Sequence, residues 1–89
     1  MKVLFLYTTL GCHLCEQAEQ LLAPVVDYIN RCGDEQSQVV VRLVEIAESN
    51  ELMLLHGLRI PVIKLQGTEP ELSWPFEQAQ VFEFITRQL

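Results

Sequence analysis

The chain has 89 residues, room for one small domain spanning 1–89 with a single core and not for two. Its apolar share of 49% is that of a globular protein and excludes a disordered one. Twelve acidic residues against six basic ones give a formal charge of −6, and the basic residues are scattered from Lys2 to Arg87. That pattern lacks the clustered cations that a nucleic acid or an anionic membrane surface demands of a partner.

The apolar run after Lys2 spans about five residues, shorter than the ~7–15 of a secretion signal, and no small-residue cleavage site follows it. No stretch approaches the ~20 apolar residues of a membrane span. The expectation is a soluble, cytoplasmic protein. Three cysteines are too few for a disulfide scaffold, and at short spacing in a reducing compartment they point to redox or metal chemistry.

Residues 3–8 are apolar, β-branched and aromatic, the mark of a buried strand. A turn at 9–11 leads into a helix over about 12–31, whose residues Ala18, Leu21, Leu22, Val25, Val26 and Ile29 fall on one face. Pro24 inside that helix removes a backbone donor and crowds the carbonyl of Gln20, which predicts a kink or break. A loop at 33–37 precedes a second strand, 39–46, interrupted by Arg42 and Glu45. Ser49 caps a short helix that Gly57 stops in a left-handed conformation, with His56 as a cation at its C-terminus. A third strand covers 60–66, with Pro61 at its start. A short edge strand at 71–73 follows the turn at 67–70. Pro75 then opens a last helix whose inner stripe is Phe76, Ala79, Phe82, Ile85 and Leu89.

The order β-α-β-α-β-β-α predicts an α/β fold. A parallel βαβ unit followed by a hairpin and a helix makes a four-stranded mixed sheet with helices on both faces.

Cys12-His13-Leu14-Cys15 stands at the junction of the first strand and helix. Side chains at i and i+3 of a helix lie ~5–6 Å apart between Cβ atoms, within reach of a disulfide. The helix N-terminus offers free N–H groups and about half a positive charge, both of which stabilise a thiolate. Cys12 at that terminus is the candidate nucleophile, its pKa lowered from ~8.5 into the range ~3.5–7.5. Cys15, one turn in and better shielded, is the candidate resolving thiol. His13 either adds positive charge beside Cys12 or is a solvent-facing spacer; Glu16 and Glu19 oppose it. A structural zinc site would need Cys32 as well, and a straight helix sets Cys32 roughly 25 Å from Cys15. Cys32 reads as an unreactive or surface thiol, the alternative being a regulatory or dimer-forming cysteine.

Three segments together resemble the glutaredoxin-like branch of the thioredoxin-like superfamily: residues 8–15, Arg59-Ile60-Pro61-Val62, and Trp74-Pro75-Phe76. The combination looks like a small bacterial family of glutaredoxin-like proteins, and the likeness spans nearly the whole chain. It implies a thioredoxin-like fold with Cys12 as nucleophile, Cys15 as resolving thiol and a cis Ile60–Pro61 bond. Such a bond would set the backbone groups of Ile60 free to pair with an extended thiol substrate, a form of strand addition. Candidate substrate contacts are His13, Leu14, Arg59, Ile60, Pro61 and Trp74. Arg59 would steer an anionic substrate; Trp74 and Phe76 either pin a helix start to the core or form a lip for a partner.

The chain also departs from that pattern. Glutathione-using glutaredoxins carry a basic residue three positions before the first cysteine, where Thr9 stands here. Their paired-glycine turn and Asp are replaced by the acidic and then aromatic segment 69–76. Glutathione is thus a poor fit. The expectation is a monomeric thiol–disulfide oxidoreductase acting on a disulfide-containing protein or a low-molecular-weight thiol. It needs no cofactor or metal and is renewed by an external reductant. The alternatives are an iron–sulfur or metal carrier, with Cys12 of two chains sharing a cluster, and a non-catalytic adaptor.

Overall fold

The computed structural model describes residues 2–57 and 59–89. Strand β1 (Lys2–Thr8) is followed by helix α1 (His13–Cys32), a 3-10 turn (Glu35–Ser37) and strand β2 (Val39–Glu45). A second 3-10 turn (Ile46–Glu48) leads to helix α2 (Asn50–His56), strands β3 (Val62–Leu65) and β4 (Glu71–Ser73), and helix α3 (Gln78–Thr86). The sheet order is β2-β1-β3-β4; β1 and β2 run parallel, and the two other pairings are antiparallel. This is the mixed four-stranded α/β sheet read from the sequence.

The pleat of β1 divides the molecule. Leu4 and Leu6 are fully buried and share one face with their register partners Leu65 and Ile63. Against that face pack Leu22, Val26 and Ile29 of α1, and Val81 and Ile85 of α3, forming the core. Burying each such side chain contributes roughly 1.5–3 kcal/mol. Tyr7 points the other way and stacks on His56 of α2, ring centroids 4.3 Å apart. Helices therefore cover both faces. The amide of Asn30 ties α1 to β2, its side chain donating to Val39 O at 2.8 Å and accepting from Val39 N at 2.7 Å.

Several local expectations are corrected. The break at Pro24 does not occur, and α1 is one uninterrupted helix. Pro24 and Gln20 are both exposed, on the side of the helix where a freed carbonyl is least costly, while Val25, Val26 and Ile29 beyond the proline anchor the rest of the helix in the core. Gly57 is right-handed, φ −53° and ψ −33°, and is not a left-handed stop. Glycine fits there because a Cβ would lie 2.5 Å from Met53 O. Strand β3 is also shorter than expected, since the Ile60 amide leaves the ladder to donate to His56 O at 3.1 Å.

The last helix starts at Gln78, three residues after Pro75, with the Glu77 amide donating to Gln80 Oε1 at 2.8 Å. Phe76 is buried but lies outside the helix, so a helical stripe counted from it is out of phase. Of that stripe Ile85 is fully buried as expected, Val81 joins it, and Ala79, Phe82 and Leu89 are exposed.

Candidate active site

The turn after β1 needs Gly11, whose φ of +79° belongs to the left-handed region that glycine enters freely. Cys12 is the N-cap of α1, in extended conformation, and its Sγ accepts from the Cys15 amide at 3.1 Å. The two sulfurs are joined as a disulfide, with Cα atoms 5.2 Å apart. Cys15 is buried at 2% exposure and Cys12 is half-buried, so an incoming sulfur meets Cys12 first. On opening of the disulfide, a Cys12 thiolate would inherit the helix's positive end and the Cys15 N–H, the arrangement that lowers thiol pKa values.

A shallow cleft of about 260 Å³ holds both cysteines, walled by the loop 8–11, by Glu16 and Glu19, and by Leu43 and Glu45 of β2. Thr9 Oγ1 donates to Glu45 Oε1 at 2.7 Å, and the same oxygen accepts from Ala47 N at 3.1 Å. One carboxylate thus fastens the turn before Cys12 to the end of β2. His13 points into solvent at 90% side-chain exposure, its Nδ1 3.9 Å from Glu16 Oε2. Leu14 is 44% exposed. Cys32 is exposed at the far end of α1. Among the described residues no three His, Cys, Asp or Glu side chains converge as a metal-ligand set.

Arg59, Ile60, Pro61 and Trp74 are not among the residues that line this cleft. The Ile60–Pro61 and Trp74–Pro75 peptide bonds are both cis. Ile60 does not offer both backbone groups to a substrate, because its N–H is taken by His56 O. Pro61 is buried, and its carbonyl accepts from Trp74 N at 2.9 Å. Trp74 is half-buried against the core, with its ring edge-on to Phe76. Arg59 is not a free cation: its guanidinium donates to Leu55 O at 2.9 Å and to Glu71 Oε1 at 3.1 Å. It is Arg59, and not His56, that supplies positive charge to the C-terminus of α2.

His56 is the residue that the sequence reading placed wrongly. It is 3% exposed, stacked on Tyr7, with Nδ1 3.3 Å from the Arg59 guanidinium and Nε2 3.6 Å from Glu71 Oε2. Since guanidinium only donates, Nδ1 is the acceptor and the proton sits on Nε2 facing Glu71. Burial pushes His56 below the ordinary imidazole range; Glu71 opposes that shift, and Arg59 and Lys64 reinforce it. Burial, and then Glu71, raise Tyr7 above the usual phenol range. The signal was available, because His56 lies four residues after Leu52, on the inward face of α2.

A sheet of order β2-β1-β3-β4 with a cysteine pair at the N-terminus of its crossover helix is the thioredoxin-like architecture. Within it, residues 3–86 match the family model described as Glutaredoxin-like domain (DUF836), and the chain belongs to that family. A structural genomics target protein from X. campestris, XcR50, is 31% identical with a TM-score of 0.73, the match covering 94% of this chain and 96% of that one. A malarial protein shares the fold at 11% identity and TM-score 0.69, over 100% and 98% of the two chains. Chloroplastic thioredoxin z does so at 16% identity and TM-score 0.63, over 98% and 77%. No curated protein matches the sequence. Family membership and the joined cysteine pair together mark a redox-type domain. No described helix is long and apolar enough to cross a membrane.

Proposed function

We propose that the protein is a dithiol–disulfide oxidoreductase in which Cys12 is the nucleophile and Cys15 the resolving thiol. The observation that carries this reading is the position of Cys12, half-buried at the N-cap of a 20-residue helix and joined to a buried Cys15 one turn along. In the reduced protein the Cys12 thiolate attacks a substrate disulfide, and one substrate sulfur leaves as a thiolate and takes a proton. Cys15 then loses its proton and attacks Cys12 Sγ, which frees the second substrate thiol and closes the protein disulfide. Two electrons and two protons pass to the substrate, and an external thiol reductant restores the dithiol. This cycle belongs in the cytosol, where such a reductant is abundant, and is run by a single chain.

The test is thiol trapping and mass measurement of the wild type across defined dithiol buffers, together with Cys12→Ser and Cys15→Ser. A two-electron transition at roughly −180 to −270 mV is expected. Cys12→Ser should reduce no disulfide, and Cys15→Ser should stall as a mixed disulfide on Cys12. If no internal disulfide forms across that span, the redox mechanism is wrong.

A further inference from the structure

The rim of the thiol cleft combines negative charge with exposed apolar side chains. Cys12, Glu16 and Glu19 fall at i, i+4 and i+7 of α1, and Glu45 lines the cleft from β2. No Lys or Arg is among the lining residues, and the imidazole of His13 faces the Glu16 carboxylate. Arg59 is engaged with Glu71 and Leu55 O, leaving it poorly placed to attract an anion. Leu10 and Leu14 flank Cys12 two positions to either side at 92% and 44% exposure, and Leu43 adds a third exposed apolar side chain at 51%. Large exposed apolar groups ringed by charge are the composition of a protein-docking rim.

Resting on the oxidoreductase reading above, we propose that the substrate is a disulfide in a cationic polypeptide segment with apolar neighbours, and not that of an anionic low-molecular-weight thiol. Glutathione disulfide carries net negative charge and meets three carboxylates here. A polypeptide bearing Lys or Arg near its disulfide is drawn in by the same field, and residues beside its cysteine reach Leu10 and Leu14. Opposite charge at a cleft raises association rates by roughly 10–10³, an effect that salt removes.

The experiment uses protein reduced with dithiothreitol and freed of it, in single turnover against symmetric disulfides of two blocked peptides, Lys-Leu-Cys-Leu-Lys and Glu-Leu-Cys-Leu-Glu. Each rate is divided by that of dithiothreitol on the same peptide, which removes differences in leaving-group acidity. The cationic peptide should react about tenfold faster or more at about 0.01 M salt, and the ratio should fall toward one at about 1 M. In E16Q/E19Q the low-salt ratio should fall several-fold, and Ser in place of the peptide leucines should slow the cationic substrate. A ratio near one at low salt, or a ratio untouched by both salt and E16Q/E19Q, overturns the charge preference. Equal rates with Ser and Leu peptides overturn the apolar half of the proposal. Absence of reaction with every peptide disulfide overturns the oxidoreductase reading itself.

Discussion

Two polar clusters stand near the C-terminal end of β1, and they handle charge in opposite ways. Around Cys12, Glu16 and Glu19 are exposed, Glu16 facing only the solvent-exposed His13 at 3.9 Å, while Glu45 is held by Thr9 and Ala47. On the opposite face His56 is sealed beneath the sheet, stacked on Tyr7 and enclosed by Arg59 and Glu71. The first cluster keeps exposed charge where a substrate can meet it. The second pairs its charges with one another and joins α2, the turn before β3, and β4. Open charge suits recognition, whereas an enclosed network suits rigidity, because a buried polar group left unpaired costs more than its bond contributes.

The largest effect that separates the two clusters comes from removing their shared carboxylate logic on the enclosed side. Glu71→Ala takes away the carboxylate that faces the buried Nε2–H of His56 at 3.6 Å and one acceptor of the Arg59 guanidinium, which keeps Leu55 O. A loss of about 1–3 kcal/mol is expected in urea unfolding. Reduction of a small uncharged disulfide, with Cys12 on the other face, should change little. If the rate collapses while stability holds, the two clusters form one functional unit and the contrast drawn here is wrong.

A smaller effect follows from the proton on His56. Its folded-state pKa lies below the unfolded value of about 6.5, so as pH drops through that value the unfolded chain takes up a proton that the folded chain refuses. Stability is therefore present above pH ~6.5 and is lost on acidification down to the lower folded pKa. The groups facing the imidazole are Tyr7, Arg59, Lys64 and Glu71, and Glu71 alone works against the loss. His56→Phe keeps a ring against Tyr7 and removes the titration. The difference in urea midpoint between wild type and variant should shrink or reverse between pH 7 and pH 5.5, with the wild type losing more. Parallel curves would mean that His56 takes up a proton as readily when folded as when unfolded.

The cysteine pair of the open cluster was legible in the sequence, whereas Leu43 and Glu45 beside it, and the enclosed cluster, were not. Cys12 and Cys15 form a local pattern: a strand, a glycine turn and a helix start, each with its own residue signature within a dozen positions. The stripe from Ala18 to Ile29 was equally readable, since helical periodicity needs no knowledge of the partner surface. The brace around His56 depends on Tyr7, Arg59 and Glu71 meeting from three separate elements, a tertiary fact that spacing does not encode. The phase of α3 was misread for a related reason. Phe76 is buried from the segment between β4 and α3 and not by helical geometry, yet in sequence it looks like the first member of an apolar stripe.

The smallest test concerns the one link that holds the open cluster in shape. The Thr9 hydroxyl donates to Glu45 Oε1, so Thr9→Val removes a donor of nearly the same volume while leaving Ala47 N on the carboxylate. A stability loss of about 0.5–1.5 kcal/mol is expected. The carboxylate, released on one side, is then free to turn toward Cys12, and a negative charge nearer the thiol disfavours the thiolate. Alkylation of reduced Cys12 by iodoacetamide should accordingly shift its midpoint to higher pH in Thr9→Val, and Thr9→Ser should restore the wild-type profile. A stability loss with an unmoved alkylation profile would leave the Thr9–Glu45 bond as a fastening of the turn alone, and would confine the tuning of Cys12 to the end of α1.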